Sequence, residues 1–238
     1  SKPYEMIDMV TTPDGSLVAM VHCNNCTSDL NAWVNLFKEY QELLGIPVNM
    51  DEIYSKLYNI ALTGDTDCGG LLSYNYISGE PVTGFADGRP LFVRSANDKF
   101  NLANFMRTHL YASVGVLKIG NDILFNEEKI KVDRITGHGG LFRTKGVGQR
   151  ILAAAINSPI YVMETAGEGG AWGIALLGSY LVNNKKGQSL ADFLDESVFV
   201  GDAGIEVSPT PEDVAGFNTY IENYKAGLPI EEAAVKFK

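Results

Sequence analysis

The chain has 238 residues, 45% of them hydrophobic, enough to bury a sizeable core as one large domain or as a domain with a small subdomain. Its 29 acidic residues against 19 lysines and arginines leave a formal charge of −10, which argues against a surface built for nucleic acid or an acidic membrane. The opening SKPYEMIDMV has no basic-then-apolar signal pattern, the longest apolar run (about Gly173 to Val182) is too short to span a bilayer, and three cysteines, an odd number, suit a reducing compartment; a cytoplasmic protein without membrane or nucleic-acid partners is expected.

In chain order, residues 1–25 predict a β-hairpin, with Glu5 to Met9 and Leu17 to His22 flanking the turn signal Thr12-Pro13-Asp14-Gly15. Residues 26–63 predict two helices. Ser28 is the expected N-cap of the first, which carries Leu30, Trp33, Val34, Phe37 and Tyr40 on one face, and Asn49 with Glu52 has the spacing of a capping box for the second. Residues 64–98, rich in Gly, Asp, Ser and Pro, read as a long functional or packed loop. Asp98 is placed to cap the long helix of residues 99–126. Residues 127–183 alternate strand, glycine turn, helix, strand, glycine turn and helix, which suggests a parallel α/β layer. The last part, 184–238, reads as a mostly helical tail, with Thr210-Pro211-Glu212-Asp213 as a helix start.

The two glycine turns carry the chemistry. Gly137, Gly139 and Gly140 follow the extended run Lys131 to Ile135, and Gly167 to Gly173 follow Ile160 to Met163. Glycine permits positive φ and lets a flat or anionic ligand touch the main chain, while the helix that follows offers free N–H groups. Tight α/β turns need glycines for purely structural reasons too, so one such turn is a weak signal and two in tandem a better one.

Other constellations carry less. His22-Cys23-Asn24-Asn25-Cys26 holds a CxxC beside a His, but a structural zinc site takes its four ligands usually from two separated pairs, and Cys68 would have to complete this one alone; thiols buried near the hairpin end are expected instead. Gly167, Gly169 and Gly173 imitate a dinucleotide fingerprint, yet a loop, Asn183 to Gly187, stands where an acidic strand end is needed. There is no GxxxxGK[ST] phosphate loop. His109 on the long helix reads as a packed histidine rather than a base, and Glu127-Glu128 and Asp192 to Glu196 as solvated faces.

Taken together, Gly139-Gly140, Gln149 and Gly170-Ala171-Trp172-Gly173-Ile174-Ala175, preceded by Gly69-Gly70-Leu71-Leu72, Tyr76-Ile77-Ser78-Gly79-Glu80-Pro81 and Gly88-Arg89, resemble the C-terminal half of the FGGY carbohydrate kinases, with a xylulokinase-like flavour, over about Ile7 to Val182. The chain departs from the pattern at His138, at Pro81 and at Ile174. The resemblance implies an α/β fold of the ribonuclease-H-like, actin-like ATPase type, a mixed sheet flanked by helices. It implies that residues 1–238 form the nucleotide-binding domain of a longer kinase whose N-terminal sugar-binding and catalytic domain is absent, so that no catalytic or metal-ligating residue is expected here and the chain alone is inactive.

By the same resemblance, Gly139 and Gly140 lie against adenine, Thr144 bonds the base, and Ser28 and Asn31 border the nucleotide. The implied cofactors are ATP or ADP with Mg²⁺, the implied partner is a small sugar such as a D-xylulose-type pentulose, and an apolar face left uncovered could pair two copies as a homodimer. For Ser28 the plain alternative is a helix cap, and for Asn31 an exposed polar residue. Two other functions stay open at this level: a non-enzymatic nucleotide-binding or assembly module of the same fold, and an NAD(P)-dependent oxidoreductase using the Gly167 turn.

Overall fold

The computed structural model describes residues 3–167, 169–200 and 204–237; Glu168, in the second glycine turn, and the chain ends fall outside them. The chain opens with the antiparallel hairpin β1 (Ile7–Thr11) and β2 (Leu17–Val21). Its turn is closed by the Thr12 N–H to the Ser16 carbonyl, with Gly15 at φ +90°, as the turn residues predict.

Helix α1 (Ser28–Leu43) buries Leu30 and Val34, and α2 (Met50–Ala61) buries Ile53, Leu57, Tyr58 and Ala61. Their starts differ. Asn49 caps α2 as expected, its side chain accepting from the Asp51 and Glu52 N–H groups, although Glu52 closes no reciprocal box and pairs with Lys56 at 2.6 Å. Ser28 does not cap α1: Thr27 holds the cap position, without a side-chain hydrogen bond, and Ser28 is the first helical residue. Asp98 does not cap the long helix either. It folds back onto Ser95, and Asn101 caps α3 (Leu102–Asp122) by accepting from the Asn104 N–H.

The expected loop of residues 64–98 holds a second sheet, β3 (Leu72–Tyr74) with β4 (Leu91–Val93), antiparallel. This segment is nailed down by buried polar groups. The Glu80 carboxylate, fully buried, accepts from the Asn24 and Asn25 N–H groups and from Asn25 Nδ2. Gly79 and Gly88 are small because a Cβ on either would meet backbone oxygens, of Ala86 and Ser78 respectively, inside 2.5 Å. The motif segment from Gly69 to Arg89 therefore works as scaffold.

α3 is the centre of the molecule. It is buried from Asn104 through Val116, packs on α1, α2 and α4, and runs into a π-turn at Ile123–Glu127. Fully enclosed Met106 and Leu110 each contribute roughly 1.5–3 kcal/mol of apolar burial. α4 (Val147–Ile156) follows the first glycine turn, and β5 (Ile135–Thr136) pairs parallel with β6 (Ile160–Val162) as the alternation predicts. The second unit behaves differently. After α5 (Gly169–Asn183) and α6 (Leu190–Ser197) the chain returns in β7 (Ile205–Val207) antiparallel to β6, so the sheet is mixed and a dinucleotide fold lacks its next parallel strand. Among the described residues no α5 side chain is buried, so that apolar helix lies outside the core.

The C-terminal segment is no tail. α7 (Pro211–Lys236), capped by Thr210, inserts Phe217, Tyr220, Ile221 and Tyr224 into the core, and Tyr74 Oη donates to the Tyr224 carbonyl at 2.9 Å. Asp213 at its start joins three helices by accepting from Arg107 Nη2 of α3 and Arg150 Nε of α4, each at 2.6 Å. Of the cysteines, Cys68 is buried and Cys23 half-buried; Cys26, expected to be buried, is exposed. Among the described residues no helix is long and apolar enough to cross a membrane.

Candidate functional site

The first glycine turn has a backbone that only glycine holds without strain. Gly139 sits at φ +100°, ψ −178°, a region closed to residues with a Cβ. Its N–H donates to the Ala166 carbonyl at 2.8 Å, so the two tandem glycine turns lie against each other. Beneath them, a Cβ on Gly137 would come 2.5 Å from the Phe142 ring, so glycine there lets the ring close under the turn. On the outer side there is room. A Cβ built on Gly139 or Gly140 meets nothing within 4 Å.

That room is one lobe of a cleft of about 780 Å³ between the turn and helices α1 and α2. Gly140, Arg143, Thr144 and Lys145 form one wall, Thr27 and Asn31 a second, and Met50, Asp51, Tyr54, Ser55, Tyr58 and Asn59 the third. Of the expected site residues, Gly140, Thr144 and Asn31 line it. Gly139 is their direct neighbour, and Ser28 is exposed next to Thr27, which takes its place on the wall. Thr144 precedes α4, its carbonyl accepting from the Val147 N–H. Gln149 is buried away from the cleft, its Nε2 donating to the carbonyls of Ile160 and Ile205 and clamping α4 to β6 and β7.

The α2 wall was not foreseen. Tyr54 and Tyr58 stack edge to face, ring centres 5.7 Å apart and planes at 87°, and burial raises both phenol pKa values, Tyr58 further than Tyr54. Both are therefore donors at neutral pH. Tyr54 Oη donates to Asn31 Oδ1 at 2.9 Å, joining α2 to α1 across the cleft wall. The i, i+4 spacing of Tyr54 with Tyr58, and of Ser55 with Asn59, was the available sequence signal. Arg143 crosses to the second glycine turn, its Cγ and Nε each 3.7 Å from the position a Cβ would take on Gly167. The cleft thus offers a flat space beside bare backbone, an aromatic wall, polar side chains and two cations. Those features suit an aromatic base with an anionic extension. Among the described residues no group of three or more His, Cys, Asp and Glu is placed to hold a metal ion.

Comparison with known proteins agrees with this architecture. The sequence model for the FGGY family of carbohydrate kinases, C-terminal domain, matches residues 1–182, and the chain belongs to that family. Among solved structures it is similar to the xylulose kinase from Rhodospirillum rubrum (TM-score 0.68, 17% identity, covering 97% of this chain and 43% of that one). It is likewise similar to the ligand-bound xylulose kinase from Lactobacillus acidophilus (TM-score 0.66, 16% identity, 98% and 43%). The glycerol kinase from Plasmodium falciparum, solved with ADP, is a more distant likeness (TM-score 0.54, 18% identity, 74% and 33%). The fold is the actin-like ATPase fold of these kinases, and the chain spans less than half the length of the xylulose kinases it resembles. No curated protein matches the sequence.

Proposed function

We propose that this chain is the ATP-binding half of a sugar kinase, and that the cleft at Gly139-Gly140 receives the adenosine end of the nucleotide. The observation that carries the reading is the convergence of Gly140 and Thr144 of the glycine turn and Asn31 of α1, from two segments far apart in the chain, on one cleft. Bound Mg-ATP would supply the phosphoryl group for transfer to a hydroxyl of a pentulose or related sugar, D-xylulose-type by kinship with the xylulose kinases.

In this reading Gly139 and Gly140 let the base lie on the main chain, and Tyr54 and Tyr58 close its other side and exclude water. Thr27, Asn31 and Thr144 offer polar contacts to base and ribose, and Arg143 and Lys145 offset phosphate charge at the lip. The base that takes the sugar's proton is assigned to a part of the kinase beyond this chain, so the chain by itself is proposed to bind nucleotide without transferring phosphate. The rival nicotinamide reading is weakened by the antiparallel return of β7.

Isothermal titration with Mg-ADP tests the proposal, with Gly140→Arg as the variant. The substitution has room at its Cβ, so the fold should persist while the guanidinium fills the cleft. Expected is binding by the wild-type chain, weakened at least about tenfold in the variant, a loss of about 1.4 kcal/mol. No binding by the wild type at millimolar Mg-ADP, or equal affinity in the two proteins, would overturn it.

A further inference from the structure

The loop between β2 and α1 carries two thiols, Cys23 and Cys26, and Glu80 shapes it. One oxygen of the fully buried Glu80 carboxylate accepts from the successive N–H groups of Asn24 and Asn25, at 3.0 and 3.2 Å, and from Asn25 Nδ2. Two neighbouring N–H groups reach one oxygen where the main chain curls around it, and the chain bends at Asn24 and again at Cys26. The curl is pinned from outside as well. Asn25 Oδ1 accepts from the Ile77 and Ser78 N–H groups, and Asn75 Nδ2 donates to the Cys26 carbonyl at 2.7 Å. Cys23 and Cys26 are the first and fourth residues of this curl, and the ends of a four-residue turn lie within about 7 Å at Cα. A disulfide spans Cα atoms about 4.4–6.8 Å apart. Both thiols are free, Cys26 exposed and Cys23 half-buried, and they are near enough for a charge on Cys26 to act on Cys23.

We propose that this pair is a redox switch on the cleft: a small-molecule disulfide such as oxidised glutathione closes a Cys23–Cys26 disulfide, and nucleotide binding weakens. Exposed Cys26 gives up its proton and its sulfur attacks one sulfur of the oxidant, breaking that S–S bond and releasing one small thiol. The Cys23 sulfur, losing its own proton, then attacks Cys26 Sγ of the mixed disulfide and releases the second small thiol. Two chain thiols are oxidised to one disulfide, the small disulfide is reduced to two thiols, and protons and electrons balance. Burial, with the charges of Glu80 and Cys26 adding to it, pushes the Cys23 thiol up to about 12. A pair whose thiolates are not stabilised favours its disulfide once formed, since a stabilised reduced form is what makes a dithiol couple oxidising. Cys68 is fully buried and takes no part. The link to the cleft is direct. Thr27, the residue after Cys26, lies on one cleft wall and Tyr58 on another, and a charge on Cys26 reaches the Tyr58 phenol. Drawing the Cys26 sulfur toward Cys23 displaces that junction. The inference rests on the proposed nucleotide reading and adds to it a regulation of the same cleft.

The test equilibrates the chain with excess oxidised glutathione, then reads free thiols, intact mass and Mg-ADP affinity, for wild type and Cys23→Ser. In the wild type the three free thiols should fall to one, with the loss of two hydrogens and no retained glutathione. Cys23→Ser, lacking the second nucleophile, should keep a glutathione adduct on Cys26. Oxidised wild type should bind Mg-ADP at least about fivefold more weakly, the lower end of the usual coupling between two sites, and dithiothreitol should restore the affinity. Three thiols surviving the oxidant, or a lasting glutathione adduct on the wild type, would overturn the proposal. A disulfide that forms and leaves the affinity unchanged would overturn the switch while the nucleotide reading stands. Failure of the reduced chain to bind Mg-ADP would sink both.

Discussion

Replacing Asp213 by Asn tests the junction that ties α7 to α3 and α4. The Asp213 side chain is 1% exposed and so is its partner Arg107, while Arg150 is 38% exposed. The carboxylate accepts from Arg107 Nη2, from Arg150 Nε and Nη2, and from Thr210 Oγ1. An asparagine of the same volume supplies one acceptor oxygen and turns N–H donors toward the other guanidinium, leaving a buried cation without its counter-charge. Breaking a buried pair this way costs about 3–5 kcal/mol. The lower figure is expected, because Arg107 keeps Tyr111 Oη and the Gly64 carbonyl and the α7 cap survives through the Asp213 N–H to Thr210 Oγ1. For a chain of this size that corresponds to a melting temperature lowered by roughly 6–12 °C.

The pH dependence of this junction has a definite sign. Burial pushes the Asp213 pKa up, but hydrogen bonds from Arg150, Arg107 and Thr210 outweigh it and leave the carboxyl below its ordinary value. A depressed folded-state pKa adds stability above the unfolded value, about 3.9, and that stability is lost as pH falls through the lower folded value. The deficit of Asp213→Asn should therefore be full at pH 7 and shrink on acidification below about pH 4. Thermal unfolding by circular dichroism, at pH 7 and down a pH series, measures both. A melting temperature within about 2 °C of wild type at pH 7, or a deficit that grows in acid, would refute the reasoning.

His109 makes a second acid-sensitive element. It is buried among Phe105, Trp33 and Phe92, with Ser73 Oγ at 3.2 Å and Asp29 Oδ2 at 3.7 Å from Nδ1, and burial pushes its pKa down to about 3. Its neutral form adds stability above the unfolded pKa of about 6.5 that is lost as pH falls. Between pH 7 and pH 5 the wild type should lose about 2 kcal/mol more than His109→Gln; equal losses in urea titrations at the two pH values would contradict the assignment. The two helix starts separate with equal clarity: Asn49→Ala should cost about 1 kcal/mol and Ser28→Ala less than about 0.5 kcal/mol, and a larger loss for Ser28→Ala in chemical denaturation would contradict the capping described.

What the sequence determined by itself was local or carried by motif. The hairpin around Thr12 to Gly15, the Asn49 and Thr210 caps, α4 from Val147 to Ile156 and the glycine turn at Gly139 were legible, because each is decided by dihedral preferences and hydrogen bonds within a few neighbouring residues. The family was legible from the order of several short motifs. The tertiary structure alone decided the rest. Three-residue strands such as Leu72–Tyr74 carry too little pattern to be seen, and they exist because distant groups hold them, as Tyr224 holds Tyr74. Helix α7 looked like a tail because its apolar face acquires meaning only against α3 and α4. The cleft wall of Tyr54 and Tyr58, and the hydrogen bond from Tyr54 to Asn31, depend on bringing residues 31, 54 and 140 together. Packing of α1, α2 and the glycine turn around a common core makes that contact, and no short-range rule encodes it.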